Sequence, residues 1–312
     1  MPESEVPREV RELAAEREER RQARDFGPAD ALRERISELG YRVIDGPAGP
    51  SFEPLGPAAG GGEQARGASS RAIPSLLDEP AIADASVHWV LQGWPEDVRR
   101  ALAGFRRFAG PRTIQYVVAD VTGAAPSTFG ADVEVVSLEE GTGWAAARNA
   151  GLRRSLGRIV LAMDGSVEPE GDVLGPLENA LVDPDTGVCG PFGVVTDDLR
   201  DFEASSGPEV DAIEGYLMAF RRELLTEVGG FDERFRWYRT ADIEYSFRVR
   251  DTGLRARVVP VPVRRHEHRA WASTPPEERA RLSKRNYNRF LDHFRGRFDL
   301  LVRGPGSRPA GG

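Results

Sequence analysis

One cysteine, Cys189, stands in 312 residues. That scarcity excludes a disulfide within the chain and any zinc site assembled from several thiolates. It also suits a reducing compartment. Positive charge is in deficit: 42 Lys and Arg against 50 Asp and Glu leave a net charge of −8. This argues against bulk attraction to nucleic acid or anionic membrane, while leaving room for a local basic patch. No apolar run approaches the length needed to span a bilayer. The first residues are charged and lack the apolar core of a secretory signal. The expected location is therefore the cytoplasm, either free or peripheral at the inner face of the membrane.

What is present falls into zones. Residues 7–24 are charged and helix-favouring, with Pro7 at the start. Ala29 to Leu39 carry Leu32, Ile36 and Leu39 at helical spacing, closed by Gly40. A short extended piece follows at 41–45. The Gly/Pro/Ser-rich stretch after it reads as a flexible linker. The resulting division is a small helical module at 1–46, a linker at 47–83, a main domain at 84–298 and a disordered tail at 299–312.

After Ala83 strands and helices alternate. Strands are predicted at 87–92, 113–120, 133–138, 158–163, 187–195 and 215–220, with an edge strand at 254–263. Helices are predicted at 96–108, 145–156, 172–182, 222–228, 241–252 and 276–298, the last burying Tyr287, Phe290, Leu291, Phe294 and Phe298 on one stripe. This alternation implies an α/β domain whose strands pair largely in parallel under helices on both faces.

Such sheets bind ligands beyond the carboxyl ends of their strands. Asp120 and Asp164 close predicted strands, Asp242 opens a helix, and Arg148 lies on the helix before Asp164. A carboxylate there accepts from ribose hydroxyls or a base N–H, and an arginine holds a base edge or a diphosphate. Each has a bland reading too. Asp164-Gly165 is a common turn dipeptide, and Asp242 suits any helix N-terminus. Trp144 reads as core packing and Cys189 as a small core residue.

The order of the pieces adds to this. GTGWAAARNAGLRRSLGRIVLAMDGSVEP, then GYLMAFRRELLTEVGGFDERF, then TADIEYSFRVRDTGLRARVVPVPVRRHEH resemble the successive motifs of the inverting family 2 glycosyltransferases. The resemblance spans roughly 84–270. It implies the GT-A fold, a Rossmann-like mixed sheet with helices on both faces, here preceded by a small helical hairpin. By the same resemblance, Gln92, Gly93, Asp120, Arg148 and Asp164 would bind the nucleotide of a nucleotide-diphosphate sugar, and Asp242 would be the catalytic base. A divalent cation, Mg²⁺ or Mn²⁺, would sit among Asp164, Ser166, Glu168 and His266. Trp237 and Tyr238 would face the acceptor, whether glycan, lipid-linked or protein.

Two positions depart from the family pattern. Ser166 stands where the second Asp of the Asp-x-Asp motif is expected, and a neutral hydroxyl is a weaker ligand for a hard cation. Glu168, or Arg264 or Arg265 in place of a metal, is the compensation to look for. Ala241 replaces the Glu that usually precedes the base. His266 and His268, at i and i+2, are expected on one side of an extended segment.

The N-terminal segment has a separate likeness. Its residues 13–52, with Ala23-Arg24-Asp25-Phe26 and Asp45-Gly46-Pro47, resemble the helical module at the C-terminal end of cysteinyl-tRNA synthetases. That implies contact with RNA; a solvated, charged hairpin is the alternative. Three functions follow in order: an active sugar transferase, a degenerate GT-A domain that binds nucleotide or glycan without transfer, and an RNA-associated protein.

Overall fold

A computed structural model describes residues 6, 8–22, 32, 36, 41–46, 49–54, 70–123 and 129–304. The chain divides into two compact units, Met1–Glu63 and Gln64–Gly312.

In the first unit, helix α1 (Arg8–Gln22) is followed by strands β1 (Tyr41–Gly46) and β2 (Gly49–Pro54). The two strands are antiparallel, with Tyr41 opposite Pro54 and Gly46 opposite Gly49. Val10, Ala14, Ile36 and Val43 form a small core. Residues 32 and 36 are helical, and the rest of the predicted second helix lies outside the described residues. The expected helical hairpin is thus corrected to helices packed with a β-hairpin. The linker is shortened accordingly, because its residues 49–54 have their backbone groups satisfied by β1.

The linker's far end is also structured. Residues 70–72 make a 3₁₀ turn, and Ile73 is buried in the larger unit. Leu76 N–H donates to the Arg153 carbonyl at 2.7 Å, and Arg222 donates to the Glu79 carbonyl at 2.8 Å.

The larger unit is built on an eight-stranded sheet with helices packed against it. Its elements in chain order are β3 (Ala83–Leu91), α2 (Pro95–Phe108), β4 (Ile114–Asp120), β5 (Val133–Ser137), α3 (Trp144–Leu152), β6 (Gly157–Met163), β7 (Val167–Pro169), α4 (Leu174–Leu181), β8 (Thr186–Gly190), β9 (Gly193–Val195), β10 (Glu203–Ser205), β11 (Glu209–Val210), β12 (Ala212–Ile213), β13 (Leu217–Arg221), α5 (Leu224–Glu227), α6 (Ala241–Asp251), β14 (Arg255–Val258), β15 (Val263–Arg265), α7 (Arg269–Ser273) and α8 (Pro276–Phe294). The main sheet runs β11-β14-β8-β13-β6-β3-β4-β5. Strands β6, β3, β4 and β5 are mutually parallel. β13 enters antiparallel between β6 and β8, making the sheet mixed as expected. Two clusters fill its faces, one around Trp89, Phe105 and Leu161 and the other around Phe220, Phe235 and Tyr245.

Local chemistry explains the elements. α2 starts with Pro95, has Glu96 and Asp97 in its first turn and ends with Arg106 and Arg107, an arrangement that suits the helix dipole. The single strand expected at 187–195 is two strands in different sheets, with Pro191 and Phe192 between them. Proline has no N–H to continue a ladder. The expected edge strand is instead β14, parallel to β8 on one side and covered by β11 on the other.

The last helix stops at Phe294. Phe290 and Phe294 are buried, but Phe298 lies beyond the helix and is 38% exposed, so it leaves the predicted stripe. The segment read as a tail begins too early, because Leu300 and Leu301 are buried and Val302 N–H donates to Asp211 at 2.6 Å.

Candidate active site

Parallel strands β6, β3 and β4 bring three carboxyl ends to one rim. Leu91 pairs with Asp120 and Trp89 with Met163. Asp120 and Asp164 therefore lie at the same rim, two strands or about 10 Å apart. Gly93, just past β3, has φ +146°, a backbone region that L side chains rarely adopt. The third aspartate arrives through β13. Asp164 N–H donates to the Tyr216 carbonyl at 3.0 Å, and Gly215 N–H donates to Asp242 Oδ2 at 2.7 Å. Asp164 and Asp242 thus hang on neighbouring residues of one turn. A small, half-open cleft lies here, lined by Leu91, Gln92, Trp94, Asp164, Ser166 and His268 among others. Asp120, Arg148 and Asp242 do not line that cleft.

Asp242 stands in the first turn of α6, after Thr240 at φ +72°. Ile243 N–H donates to its Oδ1 at 2.9 Å. Burial pushes its carboxyl above the ordinary aspartate range, with backbone donors and Arg239 opposing. Glu214, one residue before Gly215, is also raised, by burial first and then by the charge of Asp242. Sequence reading missed Glu214, because no motif marks it. Asp120 is fully buried. Its Oδ1 accepts from Thr122 N–H at 2.7 Å and from the Thr122 hydroxyl at 2.6 Å, while Oδ2 has no partner among the described residues.

Arg148 occupies a different place from the one expected. It is 2% exposed, and its guanidinium donates to the carbonyls of His88 and Met163, both at 2.8 Å. It also lies over the Trp144 ring at 5.2 Å. Burial lowers its pKa to about 10, against the charge of Asp164. Arg148 thus ties β3 to β6 beneath the rim, and its two bonded nitrogens are committed to the backbone. Its neighbour Asn149 clamps the Gly-Gly-Phe-Asp turn: Nδ2 donates to the Phe231 carbonyl at 2.7 Å and Oδ1 accepts Phe231 N–H at 2.8 Å. A Cβ on Gly230 would stand 2.4 Å from Asn149 Oδ1, which explains why the turn needs glycine there.

The predicted metal ligands separate into two pairs. Antiparallel β7 and β15 bring Arg264 opposite Glu168. Just beyond, His266 Nε2 lies 2.6 Å from Glu168 Oε2, with Arg100 Nε 3.8 Å from the same oxygen. Asp164 instead meets His268, with Oδ2 and Nε2 3.3 Å apart. Its Oδ1 accepts both the N–H, at 2.8 Å, and the hydroxyl of Ser166. His268 Nδ1 caps α7 by accepting Trp271 N–H at 3.1 Å. A neutral imidazole that accepts at Nδ1 carries its proton on Nε2, facing Asp164. Burial raises the Asp164 carboxyl, but the bonds from His268 and Ser166 outweigh it and hold the group below the ordinary range. A separate group, Asp232, Glu244 and His293, has ligand atoms within 4.8 Å of one another. Its carboxylates already pair with Arg234 and Arg248.

An aromatic group lies beside His268. Tyr238 stacks on His268 at 4.4 Å, and Trp237 stacks on Trp271 at 5.8 Å. Asn286, fully buried on α8, donates to the carbonyls of Trp237 and Arg239, both at 2.8 Å. Trp271 and Asn286 escaped the sequence reading because both come from helices that follow the motifs.

Comparison with known proteins fits this geometry. Residues 116–246 match the family described as Glycosyl transferase family 2. Over 197 residues the chain is 28% identical to the pre-mycofactocin glycosyltransferase of two Mycobacterium tuberculosis strains, covering 55% of this chain and 42% of that protein. The chain thus spans less than half the length of those relatives. A 53-residue stretch, 17% of the chain, is 47% identical to 12% of the cysteine–tRNA ligase of Opitutus terrae. Among solved structures, GalNAc-T7 with UDP, GalNAc and Mn²⁺ superposes with a TM-score of 0.55 at 17% identity, over 69% of this chain and 48% of that one. Residues 116–246 thus match glycosyl transferase family 2, and the mixed sheet that carries them is similar to that of GT-A structures.

Proposed function

We propose that the sheet rim around the Asp164 turn, of which the cleft is one part, transfers a sugar from a nucleoside-diphosphate donor to a hydroxyl acceptor, with inversion at the anomeric carbon. The carrying observation is the attachment of Asp164 and Asp242 to Tyr216 and Gly215, which brings two carboxylates to one turn and supports giving one to the nucleotide and the other to the acceptor. Asp120 Oδ2, buried without a partner among the described residues, accepts a base N–H, since an unpaired buried acceptor is costly until filled. Gln92 and Gly93 border the nucleotide, and Asp164 takes a ribose hydroxyl. Asp242 receives the proton of the acceptor hydroxyl as its oxygen bonds to the anomeric carbon. The sugar–phosphate bond breaks in the same displacement, and its electron pair leaves with the nucleoside diphosphate. The raised pKa of Asp242 brings it nearer the operating pH, which favours a general base. Trp237 and Tyr238 offer flat faces to an acceptor that is a glycan, a glycolipid or a glycosylated protein, possibilities that variable loops rather than fold decide.

The test is a screen of common nucleotide sugars, reading nucleoside diphosphate release, together with thermal protection by UDP and GDP. Protection and release by one donor are expected. Protection without release from any donor, over a range of acceptors, would favour a GT-A domain that binds and does not transfer, the reading prompted by Ser166 and Ala241. No protection by any nucleotide would refute both.

For the first unit, the identity with a cysteine–tRNA ligase segment supports an RNA contact. A salt-dependent gel shift with tRNA, lost on deletion of residues 1–46, is the expected result. Equal shifts with and without those residues would refute it.

A further inference from the structure

Each carboxylate around the Asp164-Gly165-Ser166 turn already has a cationic or hydrogen-bonding partner. Asp97 pairs with Arg100 at 3.0 Å and with Arg269 at 3.3 Å. Glu168 pairs with His266 and Arg100, and Asp164 with His268 and Ser166. The Ser166 hydroxyl spends its proton on Asp164. His268 directs a proton, not a lone pair, at the one Asp164 oxygen that Ser166 leaves open. A hard divalent cation needs several oxygen ligands in defined positions, and here the carboxylates of Asp97, Asp164 and Glu168 are already paired with cationic or hydrogen-bonding side chains.

One cation near the turn has no carboxylate within ion-pair distance among the described residues. Arg265 follows β15's return to the turn and lies over the Tyr216 ring at 3.8 Å and the Phe192 ring at 4.8 Å. The Tyr216 ring in turn meets the His268 ring edge-on at 5.9 Å. Two aromatic faces hold this guanidinium beside the turn with donors to spare.

We infer that this site holds the donor's diphosphate without a divalent cation, using Arg265, while His268 keeps its Nε2–H on Asp164. This rests on the transferase reading of the same cleft. An arginine fork binds phosphate oxygens in pairs, and the charge that grows on the departing diphosphate is met by fixed donors. Ser166 then has a role of its own: its hydroxyl fastens Asp164 in the orientation that receives His268, where a second carboxylate would repel the phosphates in the absence of a metal.

The experiment measures UDP and GDP binding to the full-length chain by calorimetry, in EDTA and in Mn²⁺. The affinity of the nucleotide that binds is expected to change less than about three-fold between the two conditions, and Mn²⁺ alone to bind only in the millimolar range. Arg265→Ala is expected to weaken binding at least about ten-fold in EDTA. Ser166→Asp, which restores a second carboxylate, is expected to weaken binding in EDTA and to recover it with Mn²⁺. Loss of nucleotide binding in EDTA by the natural sequence, with recovery in Mn²⁺, would overturn the inference while leaving the transferase reading intact. Binding that Arg265→Ala leaves unchanged would also overturn it. Failure of both nucleotides under both conditions would remove the transferase reading itself.

Discussion

At the scale of single residues, burial is the force that prepares the chemistry. Asp242 is pushed upward by desolvation more than its backbone donors pull it down. The proton it must accept in transfer is therefore resisted less than at an exposed aspartate. The rate kcat/KM is expected to fall as pH drops through a pKa above the ordinary aspartate value near 4. Asp242→Asn should lower transfer by at least about a thousand-fold and leave nucleotide protection in place. Normal turnover by that variant would remove Asp242 from the mechanism.

His88 illustrates the same force in a structural role. It is fully buried, hydrogen-bonded to Ser155 at 2.9 Å, and its pKa is lowered to about 3, by burial first and by Arg148 second. The unfolded chain binds a proton at His88 below about pH 6.5, which the native state refuses down to about pH 3. Stability is therefore lost as pH falls through that window, by up to about 1.4 kcal/mol per pH unit from this group. Chemical denaturation from pH 7 to pH 4 should show this slope, and His88→Gln should flatten it.

At the scale of elements, the site is held by side chains that grip backbone carbonyls. Asn286 on α8 bonds two carbonyls of the loop carrying Trp237 and Tyr238. Asn286→Ala leaves both without their partner and should cost about 1–3 kcal/mol. Its KM for acceptor should rise more than its KM for donor, because the two carbonyls belong to the loop that carries Trp237 and Tyr238. Equal rises would show that the loop serves both substrates. The conversation between Asn149 and Gly230 explains why Ala-Arg-Asn and Gly-Gly-Phe-Asp occur together: one clamps the other. Both motifs were readable in the sequence. Their mutual clamp was not, since Asn149 and Phe231 are distant in the chain. An arginine before a strand-end aspartate suggests a ligand contact, and only packing shows that two of its nitrogens donate to the carbonyls of His88 and Met163.

At the scale of the molecule, every residue of the cleft lies in the unit Gln64–Gly312. Deleting residues 1–54 is expected to leave nucleotide protection and transfer within about two-fold of the full chain, measured side by side. A large loss would mean that the first unit completes the cleft.

The order of strands and helices after Ala83, the apolar strand before Asp164 and the motif order were determined by the sequence alone. Burial periodicity and turn chemistry are local properties, and they carry that information. Tertiary structure decided the rest. It ordered residues 49–54 and 70–83, which were expected to be linker, because a strand partner orders the first and packing on the larger unit orders the second. It also assigned His268 rather than His266 to Asp164. That choice depends on where β15 pairs with β7 and on which imidazole nitrogen caps α7, and no spacing along the chain encodes either.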